Sequence, residues 1–263
     1  PMLTTVVWAF SDVNFATRTS TFIGIANFRS LFTEDADFLP NLLESVGSVV
    51  LQVPVIVVFS LFIAMILRQK FIGRTACRAI FFFPVIIASG VVITILRTQV
   101  MMTDSATSDM QQAYMFSFPA FDSLTQTLGL PMFITEFVTG IVNGFFDITW
   151  KSGVQIVLLL AAVNHISPSS YEAADIEGAT AWEKLWKITF PLISPTILVV
   201  VIYSIIDSFT DYGNTVMKSI TDYFHEGMYA YSNTIALIYF VTILLVVGLV
   251  HLIVSRFVFY STD

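Results

Sequence analysis

Ser204, Asp207, Ser208 and Asp211 recur at i, i+3, i+4 and i+7 within the run TILVVVIYSIIDSFTDYGN. That spacing places two hydroxyls and two carboxylates on one face of a helix. Ionisable groups in so apolar a run are costly unless they face a bundle interior or a wet cavity. A stripe of this kind suits a polyhydroxylated ligand, because carboxylates accept hydrogen bonds from sugar hydroxyls. Tyr203 and Tyr212 flank the stripe as rings on which a sugar face would stack. Ser152 and Gln155, in an earlier apolar run, are of suitable type for the same cavity. A plainer reading also stands: Asp211 and Asn214 mark a membrane boundary, and Ser204 and Ser208 are small helix-packing residues. The other chemically distinctive stretch is YEAADIEGATAWEKLWKITFPLISP, the longest charged segment in the chain. Pro168 with Ser169 or Ser170 signals a helix start, and Gly178 interrupts the pattern. A second short amphipathic helix through Trp182, Leu185, Trp186 and Ile188 is expected to end at Pro191. Two short helices meeting at a glycine form an elbow that presents Glu172, Ala173, Ala174 and Gly178 to another molecule.

The elements that must hold these groups are apolar. The 263 residues are 56% hydrophobic and 12% charged, with mean hydropathy +0.81, whereas soluble domains carry about 25% charged residues. The apolar residues come in blocks long enough for a helix to cross a hydrocarbon layer of about 30 Å, without the alternation of a β-barrel. Spans are expected over about 42–67, 79–96, 145–165, 196–213 and 229–254, with a partial span over 1–10 that begins mid-helix. Together they form one all-α transmembrane domain over 1–263. Gln52 and Pro54 mark a hinge candidate in the second span. The cluster Arg68, Lys70, Arg74 and Arg78 places its loop in the cytoplasm by the positive-inside rule. Counting spans from there puts 166–195 and Arg256 inside as well, and 12–41 and 98–144 outside. Glu34, Asp35, Asp37, Asp104, Asp109 and Asp122 lie in those outer segments. The segment 131–146 reads as a helix lying at the outer surface. Lone Cys77 excludes an internal disulfide, and the isolated His165 and His251 suggest no metal centre. The net charge of −7 offers no basic surface to nucleic acid. A membrane enzyme finds no nucleophile–base pair or metal constellation to support it.

Glu172-Ala173-Ala174, three residues, Gly178, nine residues, Ile188, one residue and Phe190-Pro191 resembles the EAA loop of permease subunits in binding-protein-dependent ABC importers. The family pattern has Leu where this chain has Phe190. FIGIANFRSLF (22–32) and RTACRAIFFFPVIIA (74–88) are similar to the outer entry and inner loop of maltose-type carbohydrate permeases. The resemblance implies a six-helix importer permease core whose first helix is truncated at the start. It implies that Glu172, Ala173, Ala174, Gly178 and Ala179 seat a coupling helix on a cytoplasmic ATPase subunit. Ser204, Ser208 and Asp211 match positions on the family's substrate-contacting span. It implies a second permease subunit, two ATPase subunits, an extracellular solute-binding protein and a carbohydrate, in the form of an oligosaccharide. The setting is the bacterial cytoplasmic membrane. The chain lacks a GxxxxGK[ST] phosphate loop, so it is expected to be non-catalytic, with no cofactor of its own and with ATP and Mg on the partner subunits. An ABC permease for another solute, or an ion-coupled secondary transporter using Asp207 and Asp211, remains open at this point.

Overall fold

The computed structural model describes residues 2–14, 19–69, 71–88, 140–141, 144–145, 147–211 and 213–259. Tyr212, residues 89–96 of the span expected over 79–96, and the surface helix expected over 131–146 (apart from helical positions 140–141 and 144–145) lie outside them. The described chain is almost entirely helical: α1 (Met2–Ala9), α2 (Ala26–Thr33), α3 (Phe38–Arg68), α4 (Arg74–Ala88), α5 (Gly153–His165), α6 (Pro168–Ile176), α7 (Ala181–Lys184), α8 (Phe190–Thr210), α9 (Thr215–His225) and α10 (Tyr229–Val254). A short hairpin, β1 (Ser11–Asn14) with β2 (Thr19–Phe22), pairs antiparallel with Ser11 opposite Phe22.

Three helical stretches among the described residues are long and apolar enough to cross a bilayer: Phe38–Arg68, Ala181–Thr210 and Tyr229–Phe257. They are helical because unbroken Leu, Ile and Val runs carry almost no competing polar side chains, and because in lipid only intra-segment hydrogen bonds satisfy the backbone. Leucines along α10 stand open, Leu245 at 68% and Leu252 at 69%, as a helix covered by acyl chains requires.

The chain divides into two compact units, residues 1–57 with 168–263, and residues 58–167. In the first, α10 packs against α1, α2, α8, α9 and β1. Leu31, Phe38, Val49, Val53, Ile205, Phe209, Val216, Ile235 and Tyr239 form its core. Polar pins close one end of that bundle. The Asn27 amide donates to the carbonyls of Ala9 and Ser11, both at 3.1 Å, and the Thr234 hydroxyl also donates to Ala9 O at 3.1 Å. Asn14 to Thr19 completes the hairpin register there. Asp35 receives the Asp37 and Phe38 N–H groups that open α3 and the phenol of Tyr231 at 2.9 Å. In the second unit α4 packs on α5, and the rings of Phe59 and Phe145 meet edge to face at 5.9 Å.

Two expected boundaries differ in the structure. Pro191 and Pro195 do not end the helix: α7, a π-helical turn (Leu185–Thr189) and α8 run on as one helix from Ala181 to Thr210. The widened turn lets the Phe190 N–H reach Leu185 O, so the hydrogen-bond ladder changes register just ahead of Pro191, which has no N–H to add to it. Pro195 cannot take the Pro191 carbonyl, but the Ser194 hydroxyl donates to it at 2.7 Å while accepting the Phe259 N–H at 2.9 Å. The second difference lies at the far end. α8 stops at Thr210, so the span expected to reach 213 is shorter.

Candidate functional site

The elbow is built by α6, the turn after it and the start of the long helix. Gly178 has φ +77°, the left-handed region that a Cβ disfavours. Its conformation lets the Ala179 N–H bond to Ala174 O at 2.9 Å and the Gly178 N–H to Asp175 O at 3.1 Å, a Schellman closure of α6. Thr180 then starts the next helix with a reciprocal capping box: its hydroxyl accepts the Glu183 N–H at 3.3 Å, and Glu183 accepts the Thr180 N–H at 3.0 Å. The long helix of 30 residues spans about 45 Å at 1.5 Å per residue, so its first turns, Glu183 included, project beyond a hydrocarbon layer of about 30 Å. The Thr180 backbone N–H, followed by Lys187, lowers the Glu183 carboxyl from 4.5 to about 2. A lowered carboxyl contributes fully above its unfolded range near 4.5. That contribution is lost as pH falls through the folded value towards 2.

Side-chain pins make the elbow one piece. The Thr189 hydroxyl donates to Lys184 O at 3.2 Å, which leaves the Tyr171 phenol as donor in its 2.7 Å bond to Thr189 Oγ1. Lys184 pairs with Asp175 at 2.5 Å. Trp182, Trp186 and Phe190 form an aromatic ladder with centroid separations of 5.6 and 5.2 Å.

The outward face is not quite the expected one. Glu172, Ala173 and Gly178 are exposed and Ala179 is half-buried, but Ala174 is buried within the chain. Ala174 therefore supports the elbow rather than presenting itself, because it sits on the α6 side that Tyr171 turns towards Thr189. Ile176, which sequence reasoning passed over, stands 87% exposed on the face of Ala173.

The polar stripe of α8 also divides. Ser204 and Ser208 are buried within the chain at 1% and 5%. Asp207 is half-buried, and Tyr203 lies one turn back on the same helix, on an open face. Asp211 is the C-cap residue of α8, where ψ turns to extended, and its carboxylate accepts the Gly213 N–H at 3.1 Å in a tight turn. The carboxylate at the end of the stripe thus closes the turn that ends the helix. Gln155 and Ser152, in the other unit, are fully buried, and the Ser152 hydroxyl donates back to Ile148 O.

Beside that turn the structure holds a network the sequence did not reveal. Asn214 caps α9 by accepting the Val216 N–H at 3.1 Å and donates to Ser45 Oγ at 2.6 Å. Ser45 in turn meets the Tyr239 hydroxyl at 3.1 Å, and that hydroxyl donates to Phe209 O at 2.9 Å. Its members are up to 194 residues apart. A cavity of ≈ 130 Å³ lies near it, lined by Asp35, Asp37, Asn41, Ser219 and Tyr223 among others. Burial, and then Asp35, raise the Tyr223 phenol above its ordinary range.

Apolar crossing helices joined to a pinned elbow define a multi-pass α-helical membrane protein. No family model matches the chain. It is 27% identical to the multiple sugar-binding transport system permease protein MsmF of Streptococcus mutans, over 92% of this chain and 84% of that one. It is 26% identical to the trehalose/maltose transport system permease protein MalF of Thermococcus litoralis, over 90% of this chain and 80% of that one. The "Probable ABC transporter permease protein YesP" of Bacillus subtilis is 26% identical over 80% of the chain, which spans 64% of YesP. A chain in the crystal structure of a bacterial alginate ABC transporter shares the fold with a TM-score of 0.61 at 22% identity, covering 87% of this chain and 81% of that one. Over most of its length the chain is similar to transmembrane permeases of ABC importers, a trehalose/maltose permease among them.

Proposed function

We propose that the chain forms, with a second permease subunit, the translocation path of an ATP-driven importer for a carbohydrate in the bacterial cytoplasmic membrane. The elbow carries this reading. Glu172, Ala173 and Ile176 stand open on a segment pinned by the Gly178 turn, the capping box and the Tyr171–Thr189 bond. A pinned segment continuous with a helix long enough to span transmits force as a lever. A cytoplasmic ATPase subunit is its proposed seat, so that closure around ATP and Mg on the partners tilts α8. The chain itself is non-catalytic. An extracellular solute-binding protein delivers the sugar, and Tyr203 with Asp207 is the pair of this chain proposed to meet it. The relatives that import starch degradation products and arabinooligosaccharides support an oligosaccharide as cargo.

The test is uptake in proteoliposomes holding the chain, its partner permease, the ATPase subunits and the binding protein. Sugar uptake is expected to require ATP and to survive collapse of the proton and sodium gradients. Uptake abolished by that collapse, with ATP present, would overturn the reading in favour of an ion-coupled transporter.

A further inference from the structure

We propose that the Trp182–Trp186 pair seats the second arm of the elbow in the headgroup layer of the inner leaflet, giving the elbow a lipid face as well as a protein face. The inference rests on the proposed topology, in which the elbow is cytoplasmic. The two rings lie on the helix start that follows Gly178, whereas the exposed Glu172, Ala173 and Ile176 lie on α6, the arm before it. Trp182 is 67% exposed and Trp186 49%. They are not isolated surface rings. Their centroids are 5.6 Å apart in an edge-to-face contact, and Trp186 stands 5.2 Å from the half-buried Phe190. The ladder thus leads from the open end of the long helix into its apolar part.

Depth along the helix selects the partner. α8 ends at Thr210, and the Asp211 turn with exposed Gly213 follows. A hydrocarbon layer of about 30 Å takes about twenty residues at 1.5 Å each, and counted inward from Thr210 it ends near Phe190. Trp186 then lies about 6 Å past that edge and Trp182 about 12 Å. The headgroup layer on each side is about 5–7 Å thick. Trp186 therefore falls inside it, and Trp182 rests on Trp186 from the water side. A protein covering Trp186 would have to enter the headgroup layer to do so. Lipid is already there.

The side chains have the chemistry of that layer. An indole offers a broad apolar ring with a single N–H donor, which is why tryptophan collects where a membrane meets water. Neither indole N–H is hydrogen-bonded among the described residues. The polar bonds of the segment join other groups: Thr180 with Glu183, Lys184 with Asp175, and Lys187 with Glu183. With both lysines matched by carboxylates, what the segment offers outward is ring surface and two open donors. Phosphate and ester oxygens of a phospholipid meet the donors, and the glycerol–acyl boundary covers the rings.

The experiment places a nitroxide at Trp182→Cys, Trp186→Cys or Leu192→Cys, each in a Cys77→Ala chain assembled with cysteine-free partners in phosphatidylcholine vesicles. Collisions with oxygen and with a water-soluble nickel chelate then report depth. Leu192, exposed just inside Phe190, is expected to give the hydrocarbon signature of frequent oxygen and rare chelate collisions. The label at position 186 is expected at headgroup level, reached by both reagents, and that at 182 about 6 Å nearer water, still below the chelate collisions of a freely dissolved label. Trp182→Cys, at the more exposed ring, decides the matter should Trp186→Cys not assemble. Labels shielded from both reagents would show that protein, an ATPase surface included, covers the rings. Chelate collisions as frequent as in free water would show that nothing does. Either result overturns the proposal, and if an impermeant reagent reaches the cysteine from inside, the importer reading stands. Reaction from outside would overturn that reading itself, and the inner-leaflet seat with it.

Discussion

Asp207 and Ser194 sit on the same helix and do opposite kinds of work. Asp207 is half-buried beside Tyr203, while Ser204 and Ser208 are turned into the chain, so the face left for a sugar is the Tyr203–Asp207 pair. A charge-assisted bond to a sugar hydroxyl contributes about 1.5–3 kcal/mol. Asp207→Asn is therefore expected to weaken uptake about ten- to a hundredfold while ATP hydrolysis persists, read as initial uptake rates against ATPase rates. Parental uptake by that variant would sink the assignment. Ser194 is structural: its hydroxyl serves the Pro191 carbonyl and the Phe259 N–H together. Ser194→Ala leaves both groups unserved and is expected to cost about 1–3 kcal/mol, seen as a lower Tm in detergent. An unchanged Tm would show that another group takes over.

The elbow is the element whose geometry matters most. An added Cβ at Gly178 meets no atom within 4 Å, so Gly178→Ala strains the chain only through φ +77°, a penalty of about 1–2 kcal/mol. The pins at Tyr171–Thr189 and Asp175–Lys184 are of similar size, about 1 kcal/mol each, and they lie off the turn itself. The subunit is expected to assemble, with the turn displaced and ATP hydrolysis uncoupled from uptake. The check is the ratio of sugar transported to ATP hydrolysed. A parental ratio would mean that the turn carries no coupling.

At the scale of the molecule, α10 separates two ends of its unit. Thr234 near its start bonds Ala9, and Tyr231 bonds Asp35. Beyond its other end, Phe259 bonds Ser194, a short way from the elbow. The helical stretch between is 29 residues long, about 43 Å, enough to put the two ends on opposite sides of a membrane. In a Cys77→Ala background, Thr33→Cys is expected to label from outside the cell and Glu177→Cys from inside. Labelling of both from one side would contradict the opposed placement of the two ends, and labelling of Glu177→Cys from outside would remove the elbow from any ATPase.

What the sequence determined alone is what depends on near neighbours along the chain. Hydropathy places the crossing helices because a bilayer tests each segment as a unit, and α10 occupies 229–254. The break at Gly178 is legible because left-handed backbone is a property of one residue. Hydropathy likewise placed Asp207 inside a crossing helix, and it lies within α8. Tertiary structure decided everything that turns on a distant partner. Pro195 ends no helix because Ser194 serves its orphaned carbonyl, held by Phe259 from 65 residues away. Ala174, Ser204 and Ser208 face inward because packing, not period, chooses which side of a helix is covered. Asp211 closes the turn where α8 stops. Asn214, Ser45 and Tyr239 meet across separations of 169 and 194 residues. Hydrogen bonds of this kind leave no periodic trace, since each is fixed by the convergence of helices and not by the order of residues within one.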